Sequence, residues 1–216
     1  MFTGIVQGMA QVESCQEMGT NKRLVIQFPE NAMDQQQLGA SVAINGVCLT
    51  VAQVEQDKVS FDVIDTTLAL TNLGNIVAND KVNFERAAKM GDEVGGHVMS
   101  GHIMCAIEVM QVRTQDDSYR IRFAVKKQAG LSGDSAPVDA MRFLFDKGYV
   151  GLNGSSLTIC DIGEDWIEIS LIPETLRLTT FGILQVGDRV NLEIDSHTQA
   201  TVDTVERILK QKGISL

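Results

Sequence analysis

The chain has no apolar run approaching the roughly 18 residues that a membrane-crossing helix needs, and its start, MFTGIVQG, lacks the basic and apolar blocks of a secretory signal. Basic clusters are missing too: 18 Lys and Arg are scattered among 28 Asp and Glu, giving a net charge of −10. Phosphate contacts need a basic stripe, so the composition argues against a nucleic-acid binder. A soluble cytoplasmic protein with neither nucleic acid nor membrane as partner is expected. The four cysteines (Cys15, Cys48, Cys105, Cys160) show no C-x-x-C spacing, and the three histidines (His97, His102, His197) show no H-x-x-x-H. A zinc site is therefore not expected, and widely spaced cysteines in a chain with no export signal read as reduced thiols. There is no G-x-S-x-G, no P-loop and no G-x-G-x-x-G after a strand, which leaves the common hydrolase and nucleotide-binding readings without support.

What the chain does have is a repeat. INGVCLTV (44–51) returns as LNGSSLTI (152–159), so Asn45, Gly46, Leu49 and Thr50 meet Asn153, Gly154, Leu157 and Thr158, each 108 positions later. The same offset pairs Thr67, Leu68, Leu70, Thr71, Gly74, Asp80, Val82, Asn83 and Glu85 with Thr175, Leu176, Leu178, Thr179, Gly182, Asp188, Val190, Asn191 and Glu193. Chance would supply only about two or three identities over such a span, so the chain is an internal duplication. The two starts align 97 apart, with Gly4 and Val12 on Gly101 and Val109, and Thr3 and Val6 on the similar Ser100 and Ile103. Because the offset grows by 11 residues along the copy, an insertion is expected, in KKQAGLSGDSAPVD (126–139). Two domains result, 1–97 and 98–195, each within the normal size range, and then a tail, 196–216.

Both copies consist of short apolar or alternating runs with turn residues every ten or so positions, such as KRLVIQF, KVSFDVI, YRIRFAV and WIEISLI. That pattern predicts small antiparallel barrels. Short helices are expected at ENAMDQQQ and DSAPVDAMRFLFDKG, the latter capped by Ser135 or Asp134 with Pro137 in its first turn. Beyond Asp195 the spacing of Val202, Val205, Ile208 and Leu209 predicts an amphipathic helix.

Alternate residues of a strand share a face. Leu49 and Leu157 are therefore expected inside the barrels, and Cys48 with Thr50, and Ser156 with Thr158, outside. An Asn-Gly turn between apolar runs is ordinarily a solvated hairpin. Here the same polar pair is kept beside the turn in both copies. GGHVMSGHIM (95–104), at the junction, holds His97 and His102, whose side-chain type is the usual neutral-pH proton carrier. Its glycines serve either as linker residues or to allow close approach of backbone to a ligand.

The motifs MFTGIV, NGVCLTV, VNFERA, GGHVMSGHI, KGYVGLNGSSLTI, IPETLRLTTFG and VNLEID, in order from residue 1 to about 208, resemble the riboflavin synthase family. The resemblance implies a mainly β chain of two tandem six-stranded Greek-key barrels, and a C-terminal helix that assembles a homotrimer without metal or cofactor. The implied reaction is a dismutation of two 6,7-dimethyl-8-ribityllumazine molecules to riboflavin and 5-amino-6-(ribitylamino)uracil, the last step of riboflavin biosynthesis. By motif, Phe2, Thr3, Ser41, Cys48, Thr50, Ile64, Thr67 and His102 would form the first barrel's site. Lys147, Ser156, Thr158, Ile172, Thr175 and Asp195 would form the second's. Among these, the resemblance implies Cys48, His102, Ser156 and Asp195 as the catalytic residues, with His102 the expected proton carrier and Cys48 or Ser156 the group that adds to or polarises a ring. Asn153 departs from the family, where an acidic residue is usual. The alternative on the same fold is a non-catalytic lumazine- or flavin-binding antenna protein, in which one barrel's polar residues or the terminal helix should have decayed; this chain keeps them.

Overall fold

The computed structural model describes residues 1–115, 118–128 and 138–214. The first copy contains β1 (Gly8–Met18), β2 (Asn21–Gln27), β3 (Ser41–Ile44), β4 (Val47–Glu55), β5 (Lys58–Val63) and β6 (Lys81–Arg86), closed in the order β1-β2-β5-β4-β3-β6. The second contains β7 (Cys105–Gln115), β8 (Ser118–Ala124), β9 (Tyr149–Leu152), β10 (Ser155–Ile162), β11 (Trp166–Leu171) and β12 (Arg189–Ile194), closed in the matching order β7-β8-β11-β10-β9-β12. Every pairing is antiparallel, and in each barrel β2 or β8 skips two neighbours to pair with the fifth strand, a Greek key. Among the described residues, closure leaves no unpaired edge.

Alternation supplies the cores. In β2 Leu24 and Ile26 point inward to meet Val12, Val59, Phe61 and Val82; in the second barrel Ile121 and Phe123 meet Val109, Ile167, Ile169 and Val190 in the same way. The irregularities are duplicated along with the pattern. Bulges fall between Val12 and Ser14 and between Val109 and Gln111, and again between Val51 and Gln53 and between Ile159 and Asp161.

The Asn-Gly turns are not solvated hairpins. Asn45 and Gly46 have φ of 46° and 80°, and Asn153 and Gly154 have 44° and 85°, the left-handed pair of a tight hairpin turn. The two turns meet back to back: a Cβ on Gly46 would stand 2.6 Å from the Gly154 nitrogen. Around them runs a two-fold-related set of buried amides. Asn83 Nδ2 donates to the Asn153 carbonyl and Asn191 Nδ2 to the Asn45 carbonyl, both at 2.9 Å. Asn45 Oδ1 and Asn153 Oδ1 accept the backbone N–H groups of Asn83 and Asn191. The symmetry extends one step further, because Asn83 Oδ1 accepts from Thr180 N–H and Asn191 Oδ1 from Asn72 N–H, both at 2.7 Å.

The helix expected at ENAMDQQQ is absent. Asn31 and Gln35 have φ of 63° and 58°, which an α-helix cannot accommodate, and the segment is a series of turns. Of DSAPVDAMRFLFDKG, residues 134–137 lie outside the described residues, as do 129–137 of the expected insertion; the rest contains one 3-10 turn, Met141–Phe143. Short helices α1 (Asp65–Leu70) and α2 (Pro173–Leu178) come after the fifth strand of each barrel. The terminal helix α3 (Ser196–Gln211) forms as expected, with Asp195 as its N-cap. Val202 packs against the second core, and Arg142 binds Asp203 and, at 2.8 Å, Glu206. Val205 and Ile208 remain exposed. Among the described residues no helix is long and apolar enough to cross a membrane.

The back-to-back turns make a direct prediction. Gly46→Ala combines left-handed strain with a backbone clash and should lower stability in urea unfolding by about 2 to 4 kcal/mol. Gly19→Ala, also left-handed at 70° but with nothing within 4 Å of the added Cβ, should cost about 1 to 2 kcal/mol. Equal losses at the two positions would show that the turns do not set the barrel contact.

Candidate functional site

Strand pairing lays out the outer face of each barrel in rows. In the first, Glu85, Ala43 and Cys48 stand side by side, and Ser41 with Thr50 form the next row. In the second, the rows are Glu193, Gly151 and Ser156, then Tyr149 with Thr158. Asp195 comes directly after β12, 108 residues beyond Ala87. Leu49 is buried inside and Thr50 exposed outside, as alternation requires.

Over these faces lie the segments that lead into the barrels. Phe2 and Met99, 97 residues apart, pair as an isolated antiparallel bridge, with bonds of 2.8 and 3.0 Å. Phe2 and Met99 bury against Ala43, with Cys48 and Ala87 packed alongside. Each segment is clamped by a carboxylate of its own barrel: Glu85 accepts from Thr3 N–H, Thr3 Oγ1 and Gly4 N–H, and Glu193 from Ser100 N–H, Ser100 Oγ and Gly101 N–H. Burial pushes both glutamates above the ordinary carboxylate range, against the lowering effect of these bonds. Each segment then hands a carbonyl to the other barrel. Ser156 N–H donates to the Gly4 carbonyl at 2.8 Å and Cys48 N–H to the Gly101 carbonyl at 3.0 Å. A Cβ on Gly4 would lie 2.5 Å from Ser156 Cβ, and one on Gly101 2.5 Å from Cys48 Cβ. These glycines let backbone rest directly on the two candidate reactive side chains.

The histidine against Ser156 is His97, not His102. His97 Nδ1 lies 2.6 Å from Ser156 Oγ, which also accepts the His97 backbone N–H at 3.1 Å. The ring is buried and stacked on Tyr149, with centroids 5.2 Å apart and an interplanar angle of 19°. Its Nε2 is buried without a partner among the described residues. Burial lowers the His97 pKa and the Asp195 charge works to raise it. For Asp195 itself burial works upward, but the bonds from Thr198 N–H and Oγ1 and the charges of His97 and His197 hold it below the usual range. His102 is exposed, one residue beyond the glycine that covers Cys48.

The remaining expected residues lie around these rows. Thr3 is half-buried in the Glu85 clamp, Ile64 and Ile172 are exposed at the starts of α1 and α2, and Thr67 and Thr175 are half-buried one turn into those helices. Lys147 is exposed beside Asp146. Ser41 lines a cleft of about 370 Å³ with Gln37, Arg86 and Lys89, and Thr3, Glu85 and Ala87 line a neighbouring one of about 660 Å³.

Residues 3–87 and 100–195 each match the family model of the lumazine binding domain. The chain is 46% identical to riboflavin synthase of Escherichia coli (strain K12) over 209 residues, covering 97% of this chain and 93% of that protein. The chain belongs to the riboflavin synthase family. Riboflavin synthase of Chlamydia pneumoniae is 38% identical, with 99% of both chains covered. In the crystal structure of LumP complexed with riboflavin, the matching chain has a TM-score of 0.80 and 26% identity, covering 91% of this chain and 100% of that one. LumP complexed with 6,7-dimethyl-8-(1'-D-ribityl) lumazine matches at 0.78 and 25% over the same shares.

Two of the groups that hold these riboflavin synthase family faces together, Glu85 and Glu193, are matched in the repeat, but nothing in a strand pattern distinguishes a clamp from a solvated carboxylate. Tyr149 is readable as the partner of Ser41 at the 108 offset. The amide of Asn153 sits in the barrel contact, its Oδ1 accepting from Asn191 N–H and, at 3.1 Å, from Asn72 Nδ2.

Asp195→Asn should keep the helix cap, since Asn caps as well as Asp, while removing the charge that raises the His97 pKa. The His97 ring resonances should then titrate at lower pH by NMR. An unmoved midpoint would place Asp195 outside electrostatic reach of the ring.

Proposed function

We propose that the protein is a riboflavin synthase, transferring a four-carbon unit between two 6,7-dimethyl-8-ribityllumazine molecules to give riboflavin and 5-amino-6-(ribitylamino)uracil. The observation that carries this reading is the doubled face: two equivalent barrels, each with a polar pair beneath a covering glycine, suit a reaction with two identical substrates. The functional units are 1–97, 98–195 and 196–216, and each barrel holds one lumazine. Hydroxyl groups of Ser41, Thr50 and Thr158 suit the ribityl chain, and exposed Ile64 and Ile172 offer apolar contact.

The chemistry requires a proton taken from the 7-methyl group of one lumazine and a nucleophile added to the ring of the other. Burial favours the neutral form of His97, which is joined to Ser156, and His102 lies beside the Cys48 face; these are the proton carriers. Cys48 and Ser156 are the groups that add to or polarise a ring. Much of the acceleration comes from holding the two rings together. Purified protein given the lumazine should form one riboflavin per two lumazines consumed, tracked by absorbance and fluorescence. Lumazine bound but never consumed would favour a ligand-binding protein on the same fold instead.

In this reading the protein is a cytoplasmic homotrimer, with the exposed Val205 and Ile208 of α3 packing between chains. Each such aliphatic side chain contributes about 1.5 to 3 kcal/mol when fully buried. Val205→Asp combined with Leu209→Asp should therefore give monomers by light scattering. A trimer that survives both charges means that α3 packs only on its own chain through Val202 and Arg142.

A further inference from the structure

The offset that superposes the two barrels also shows where they differ. Ser41 faces Thr50 across β3 and β4, and Tyr149 faces Thr158 across β9 and β10 in the same register. The first barrel thus carries a small hydroxyl where the second carries an aromatic ring. One face of that ring is stacked on His97, yet Tyr149 remains 57% exposed, so much of the residue is left open to solvent in the row it shares with Thr158. Tyr149 is neither a buried core residue nor a plain surface one: it stands between the His97–Ser156 pair and solvent.

We propose that Tyr149 is a positioning residue of the second barrel's face, holding the His97 ring over Ser156 with one side and offering the other side to the pteridine of the bound lumazine. The proposal rests on the riboflavin synthase reading for the identity of the ligand, not for the stacking itself. A flat heterocycle gains from an offset aromatic partner what a serine hydroxyl cannot supply. The two faces of the chain are therefore unequal sites: an aromatic wall with an adjacent imidazole in the second barrel, and a hydroxyl-lined face in the first. The groups that act on His97 are Tyr149 from β9, Ser156 from β10 and Asp195 at the start of α3, with His197 acting in turn on Asp195. Removing the Tyr149 ring admits water to His97 and relaxes the burial that lowers its pKa, so the midpoint moves up. The acid limb of the rate profile moves with it to higher pH.

The test compares wild type with Tyr149→Phe, Tyr149→Leu and Tyr149→Ser, the last being the first barrel's residue at this position. Riboflavin serves as an unreactive probe in calorimetric titration, and the His97 ring is titrated by NMR. Tyr149→Ser and Tyr149→Leu should weaken riboflavin roughly three- to tenfold at one class of site and raise the His97 midpoint. Tyr149→Phe should hold both close to wild type, since ring and stack remain. Wild-type affinity and an unmoved midpoint in the Ser and Leu variants would overturn the proposal. So would a Phe variant as impaired as they are, since the hydroxyl rather than the ring would then carry the effect. Neither readout needs turnover. A wild-type protein that forms no riboflavin would remove the enzymatic reading while leaving the stacking to be decided on its own evidence.

Discussion

Asn83 and Asn191 each send a side-chain N–H to a carbonyl in the other barrel's Asn-Gly turn, and the relative placement of the barrels depends on that exchange. Both side chains are buried, and a buried amide or carbonyl left unpaired costs about 1 to 3 kcal/mol. A small rotation of one barrel would orphan several such groups at once, including the Thr180 and Asn72 N–H groups that cap the same two asparagines. Apolar packing alone would tolerate sliding; this arrangement of donors and acceptors does not. The back-to-back glycines set the distance of approach and the asparagines set the angle.

Because the barrels are fixed in this way, backbone from one can serve as part of the other's reactive face. The Gly4 and Gly101 carbonyls reach Ser156 and Cys48 only because the barrels cannot turn. The same coverage buries His97, and burial favours the neutral imidazole, the form able to take a proton. Low local polarity also strengthens whatever charge interactions remain, Asp195 with His97 among them. Glu85 and Glu193 complete the arrangement by tying each covering segment down through three donor groups apiece.

Much of this is legible in the sequence because a duplication reads the fold twice. The strands, the two barrels and α3 emerge from alternation, repeat and helical spacing. The turn segment at 30–37 reads as helix because its polar composition fits either state; Asn31 tolerates the left-handed conformation it adopts, but nothing in the composition marks Gln35 for it. The Asn-Gly turns look like solvated hairpins because a hairpin signal is local, while their burial comes from the other copy. His97 and His102 are five residues apart and equivalent in kind. Which one meets Ser156 depends on how the leading segment is clamped, a long-range fact invisible to spacing. Tyr149 is within reach of the sequence, since the offset that matches Thr50 to Thr158 also matches Ser41 to a tyrosine.

The pseudo-two-fold contact is self-complementary: Asn83 does to the second barrel what Asn191 does to the first. Such an interface is the kind that two separate copies of a single barrel would make as a symmetric dimer. Joining the copies in tandem turns a concentration-dependent association into an intramolecular one. It also lifts a restriction that binds every true homodimer, in which a change on one face is necessarily made on both. Serine and tyrosine at one matched position, alanine and aspartate at another, are pairings that only a covalently joined pair can hold. The fused chain can keep a symmetric frame and still let its two faces take on different work.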